Sequence, residues 1–82
     1  MIVEIQTFKL ASGVSEEQFL EADARLQAER YYQDESIVRR TTTRSGDKWC
    51  VVVFSGAEIA VPDELRELVT DLVVERYEAL EG

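Results

Sequence analysis

Asp23, Gln27 and Arg30 are the side chains whose types and spacing could carry chemistry in this chain. On a helix, at roughly 100° per residue, Phe19, Ala22 and Leu26 set an apolar arc, and the three polar residues fall on or beside it. A carboxylate, an amide and a guanidinium spread over two turns of one face could form a polar pocket wall that orients an oxygenated small molecule or its enolate. The same three could instead be a hydrogen-bond network tying the helix to a sheet, with Arg30 reaching out to water at its end. Both readings stand at this stage.

Further candidates come from the strands. Arg39 and Arg40 are neighbours in an extended segment, so their side chains point to opposite faces. One of the two enters a layer that ought to be buried, where it can pair with Asp23 beneath the helix or meet a carboxylate of a second subunit. Arg40 joins the pocket candidates on that basis. Trp49 offers a flat apolar wall with one donor, either as a cavity lining or as core and dimer contact. Cys50 reads as a small buried hydrophobe, because no cationic helix terminus is at hand to lower its pKa.

Several chemistries are missing their residues. The chain has no histidine, which removes Ser-His-Asp and Cys-His pairs, imidazole metal ligands and any side chain that ordinarily titrates near neutrality. No glycine-rich phosphate loop, calcium loop or paired-cysteine zinc motif occurs, so neither a metal nor a cofactor is expected. Seventeen acids against nine bases give a net charge of −8. Without a basic stripe, nucleic acid is not an expected partner, and an anionic membrane surface would repel the chain. The unbroken apolar stretch Cys50 to Phe54 is far shorter than the roughly 20 residues of a membrane span. A single cysteine cannot close an internal disulfide, and the first residues read as a strand and not as a leader, so the expected location is cytoplasmic.

The elements that must position these residues follow from periodicity and turn signals. Ile2 to Leu10 reads as a first strand, with Val3, Ile5 and Phe8 set against Glu4 and Gln6. Ser15 caps a helix, with Gln18 at the third helical position and Val14 and Phe19 as a hydrophobic staple; the helix is expected to run to about Tyr32. Ile37 to Arg44 and Lys48 to Ser55 form an antiparallel hairpin around Ser45-Gly46-Asp47. The run from Trp49 is apolar on both faces, which predicts a central strand with something packed above and below it. Beyond Gly56, Pro62 to Val69 is expected to be a short helix opened by proline and acids, Thr70-Asp71 a turn, and Leu72 to Leu80 a fourth strand. Continuous helix across the same C-terminal stretch is the alternative, because its leucines also fit a helical stripe.

Strand, helix, strand, strand, helix, strand is the ferredoxin-like βαββαβ order of the α+β class, with two helices on one face of a four-stranded antiparallel sheet. One such domain spans residues 1–82. Its other sheet face is left bare, and a chain this small exposes a large share of its surface, so pairing two sheets across a two-fold axis predicts a homodimer.

At this level the chain resembles the dimeric α+β barrel superfamily, in its antibiotic-biosynthesis-monooxygenase-like branch. The resemblance rests on Met1-Ile2-Val3-Glu4-Ile5, the helix segment Phe19-Leu20-Glu21-Ala22-Asp23 through Gln27, Val38-Arg39-Arg40-Thr41-Thr42 followed by Trp49, and Arg76-Tyr77-Glu78. It covers most of residues 1–55 and a short stretch near the end. The chain departs from the branch between Gly56 and Pro62, where a longer second helix that roofs the cavity is usual. The superfamily's haem-degrading activity would need an iron-binding histidine that is not here. The resemblance implies either a dimeric barrel that holds a small apolar or aromatic ligand without turning it over, or a cofactor-independent oxygenase acting on a polyketide-like phenol. A protein-interaction domain is the third reading.

Overall fold

The computed structural model describes residues 1–81. Its elements are β1 (Ile2–Leu10), α1 (Glu16–Glu29), β2 (Ile37–Ser45), β3 (Lys48–Ser55), α2 (Asp63–Arg66) and β4 (Val69–Glu78), with one 3-10 turn at Tyr31–Gln33. The strands form one antiparallel sheet in the order β2-β3-β1-β4. This is the ferredoxin-like arrangement, with β1 and β3 in the centre as the apolar character of β3 predicts.

Local chemistry accounts for most of the boundaries. The Ser15 hydroxyl accepts a hydrogen bond from the Gln18 N–H at 3.0 Å, which satisfies one of the free donors of the first turn of α1. Glu16 and Glu17 lie in that turn, where the helix dipole favours acids. Gly46 closes the β2–β3 hairpin at φ +63°, a conformation a side chain would resist.

Three boundaries differ from the expectation by three residues each, and β4 ends at Glu78 and not at Leu80. First, α1 stops at Glu29, since Arg30 leaves helical geometry (φ −124°, ψ −55°) and the chain tightens into the 3-10 turn. Second, α2 is a single turn, Asp63–Arg66, and not a helix from Pro62 to Val69. Third, Thr70-Asp71 is no turn. β4 already begins at Val69 and carries an irregularity opposite Phe8, where Asp71 takes φ +56°. Aspartate tolerates that left-handed conformation better than most residues, so the strand bends without stopping.

The core lies between the sheet and α1, with α2 and the loop before it closing one side. Phe8, Phe19 and Trp49 form an aromatic cluster with ring centroids 5.0 to 6.5 Å apart, and Val51, Val53, Val61, Leu65, Leu26 and Tyr31 continue it. On β1 the alternation is the reverse of the simplest amphipathic reading. Glu4 and Gln6 are buried on the helix side with Phe8, while Val3 and Ile5 lie on the face that no helix covers.

Candidate functional site

Helix α1 turns Asp23 toward the sheet at the level of β2. The residue is buried at 2% exposure, and its carboxylate gathers three polar partners in one place. Arg40 Nη2 stands 2.8 Å from Asp23 Oδ1. The Thr42 hydroxyl donates to Oδ2 at 2.8 Å, and Gln27 Nε2 donates to the same oxygen at 3.1 Å. Arg40 Nη1 donates to the Thr42 hydroxyl at 3.3 Å, so the three residues close a ring. The Arg40 guanidinium also lies over the Tyr31 ring, 4.6 Å from its centroid. Oδ1 and Nη2 approach at an angle that puts neither in an aligned hydrogen bond. The contact is therefore a charge contact, held in place by the bonds around it.

This geometry follows from the strand pairing. Arg40 faces Val53, Val53 faces Glu4 and Glu4 faces Arg76, so one row across the helix side of the sheet reads Arg40, Val53, Glu4, Arg76. Glu4 is buried and accepts from Arg76 Nε at 2.9 Å and from Gln6 Nε2 at 2.6 Å. The two bases of the row thus take one buried acid each, Arg76 that of Glu4 and Arg40 that of Asp23 on α1. The sheet's helix side divides into an aromatic end, at Phe8 and Trp49, and a polar end with Glu4 and Arg40. Tyr31 roofs the polar end, and its hydroxyl is held above the usual phenol range by burial, opposed by the positive charge of Arg40.

Of the residues singled out in the sequence, Asp23, Gln27 and Arg40 come together. Arg30 does not: it turns away where α1 ends, and its guanidinium pairs with Glu64 of α2 at 3.1 Å on the surface. The pocket-wall role expected for it is not what this placement provides. Trp49 sits in the aromatic cluster with Arg44 over its ring at 5.7 Å, away from the Asp23 carboxylate. Thr42, Tyr31, Glu4 and Gln6 belong to the polar end and did not stand out beforehand. Burial of the even-numbered residues of β1 is the signal that would have found Glu4 and Gln6.

Beside this network lies a cavity of about 10 Å³, room for one water. Phe8, Phe19, Val51, Val61, Leu65 and Leu72 line it, with the stems of Gln6 and Arg40 at its edge, and no polar atom is exposed on its wall. A metalloporphyrin does not fit this space, and the nearby charged groups are already paired with each other. Among the described residues no group of three or more His, Cys, Asp or Glu side chains is placed to hold a metal ion. No helix is long and apolar enough to cross a membrane.

Neither a family model nor a curated protein matches the sequence. Solved structures do resemble the fold. A proposed antibiotic biosynthesis monooxygenase from Deinococcus radiodurans superposes with a TM-score of 0.67 at 20% identity, over 100% of this chain and 95% of that one. A variant of MhuD with two manganese protoporphyrin IX molecules bound per active site superposes with a TM-score of 0.56 at 11% identity, over 100% and 97%. The chain therefore has the α+β fold of these structures, as its sequence predicted.

Proposed function

We propose that this chain works as a homodimeric α+β barrel that takes a small apolar or aromatic molecule between its sheet and α1. The observation that carries this reading is the carbon-walled cavity at the junction of β1, β3, α1 and α2. Its roof is a single helical turn and the Gly56–Pro62 loop, in place of a long helix. Leu65 and Val61 are the roof's apolar contacts, and their outward movement is what would widen the space. The Asp23–Arg40–Thr42 ring ties β2 to α1 alongside.

Fluorescence titration with 1-anilinonaphthalene-8-sulfonate and with neutral 1-aminonaphthalene tests this. Saturable binding of the neutral probe, lost in Val61→Trp while the fold is retained, is the expected result. Failure of both probes to saturate rejects the ligand-binding reading.

The second reading, a cofactor-independent oxygenase acting on a polyketide-like phenol, is favoured by the similarity to the Deinococcus protein. Oxygen consumption with a panel of hydroxylated anthrones separates the two. Steady turnover selects the enzyme, and binding without oxygen uptake selects the carrier.

A further inference from the structure

Residues 58–67 cross the cavity between two fixed points. At one end the Gly56 N–H donates to the Ser36 carbonyl at 2.7 Å, and the Ser55 hydroxyl donates to the Ala57 carbonyl at 2.6 Å. At the other end the Ala11 N–H donates to the Leu68 carbonyl at 2.9 Å, just before β4 joins the sheet. Between these points the hydrogen bonds are local. Leu65 and Arg66 donate from their N–H groups to the Pro62 carbonyl and Glu67 to that of Asp63, while Arg66 Nε donates to the Val61 carbonyl. Among the described residues, no backbone hydrogen bond joins 58–67 to the sheet or to α1. The segment can therefore move as a unit and keep its own hydrogen bonds.

Two kinds of contact hold it down. Val61 and Leu65 are buried over the cavity, at 8% and 4% exposure, and Ile59 packs partly buried against the core. The polar tie is the ion pair of Arg30 Nη2 with Glu64 Oε1 at 3.1 Å, which joins the end of α1 to α2 with both side chains about half exposed. Farther along α1, an open groove lined by Gln18, Glu21, Arg25, Glu64 and Glu67 separates the two helices. A segment with few buried apolar contacts and no ladder to its neighbours opens at a lower free energy than the whole fold. The apolar contacts set most of that resistance. An exposed ion pair shifts such an equilibrium by only about two- to fivefold, and salt screens it.

We infer that residues 58–67 form a lid that opens about Ala57 and Leu68, and that the Arg30–Glu64 pair latches it to the end of α1, so that ionic strength sets how often the cavity is uncovered. The lid's use as a ligand entrance rests on the reading that the cavity takes an apolar molecule, whereas the motion and its latch are measured without one. Arg30, which the end of α1 turns away from the Asp23 carboxylate, thereby acts on the same cavity from outside.

Alkylation by iodoacetamide, an uncharged reagent, tests this in a Cys50→Ser background that removes the native thiol. Val61→Cys places a thiol under the lid, and Val53→Cys places one on β3 outside the cavity lining, where only unfolding of the whole chain exposes it. The Val61→Cys thiol is expected to react about tenfold or more faster than the Val53→Cys thiol. Adding Arg30→Gln is expected to raise the Val61→Cys rate by about two- to fivefold at about 0.01 M salt, and to leave it unchanged at about 1 M, where the screening length falls to about 3 Å. The Val53→Cys rate stays the same in both cases, and adding Glu64→Gln to Arg30→Gln gives no further rise. If circular dichroism shows Val61→Cys unfolded, Leu65→Cys takes its place with the same expectations. Equal rates for the two thiols overturn the lid, and an Arg30→Gln rate equal to that of the arginine protein at low salt overturns the latch. Labelling as expected, with no saturable binding of 1-aminonaphthalene, supports the lid and rejects the ligand reading.

Discussion

Arg40 and Asp23 meet 2.8 Å apart with 4% and 3% of their side chains exposed, and the contact ties an edge strand to the middle of the long helix. An ion pair this deep costs desolvation on both sides, and its attraction repays that cost only while both partners are present. Removing one strands the other. Asp23→Asn is expected to lower unfolding stability by about 3–5 kcal/mol, and Arg40→Met by a similar amount. The double replacement Asp23→Leu with Arg40→Met is expected to recover most of the loss, since well-packed apolar groups need no counter-charge. Urea unfolding of the four proteins measures this. Equal stability of Asp23→Asn and the unchanged chain would show that the pair carries no folding energy.

Tyr31 gives the protein an alkaline sensitivity with a definite sign. Burial raises the phenol above its ordinary value of 10.0 in the folded chain. The unfolded chain then releases its proton first as pH rises, so the stability contribution is complete below pH 10.0 and is lost between that value and the folded-state pKa. Thermal unfolding followed across this range should show a decline that is shallower in Tyr31→Phe. Parallel curves for the two proteins would mean that Tyr31 is not the group responsible.

Asp71 reports on the irregularity in β4. At φ +56° a β-branched residue meets steric conflict, whereas glycine meets none. Asp71→Val is expected to destabilise by about 1–2 kcal/mol, while Asp71→Gly is expected to lie within about 1 kcal/mol of the unchanged chain, as backbone relief offsets the greater freedom of the unfolded state. Denaturant midpoints of the two variants in the same buffer check the order. A valine variant as stable as the glycine variant would mean that the strand does not need this conformation.

The same residue marks a limit of the sequence. Thr70-Asp71 carries turn chemistry, and a short-range reading places a turn there; only the pairing with β1 carries the strand through it. The end of α1 was equally hidden, because Tyr31 and Tyr32 continue the helical pattern and tertiary packing of Tyr31 draws the chain into a tighter turn. Arg30 was lost from the site for that reason, since its expected direction assumed an unbroken helix. Asp23 and Gln27 are legible, because helical phase alone turns them toward the sheet, six and two residues before the helix ends at Glu29. Which of Arg39 and Arg40 joins Asp23 depends on the extra residue at Val38, where β2 slips against β3. The reversal on β1 is the most informative difference. Val3 and Ile5 look like core by type, yet the helix side holds Glu4 and Gln6, because Arg76 and each other's side chains satisfy them there.

A consequence is that the sheet has two faces to bury and the chain's own helices cover one. An Ile5→Asp substitution at the centre of the uncovered face is expected to leave the fold and the Asp23–Arg40 network intact while preventing association, because an unpaired carboxylate would be buried in the interface. Size-exclusion chromatography of this variant beside the unchanged chain distinguishes an interface residue from a core one. Loss of secondary structure in the variant would place Ile5 in the folding core instead.

The most direct test of the central claim, that this face is closed by a second copy, is sedimentation equilibrium of the unchanged chain at micromolar concentration. The chain mass is 9.4 kDa, and the expected result is a single species of twice that mass across the concentration series. A species that stays at 9.4 kDa throughout would contradict the dimeric barrel.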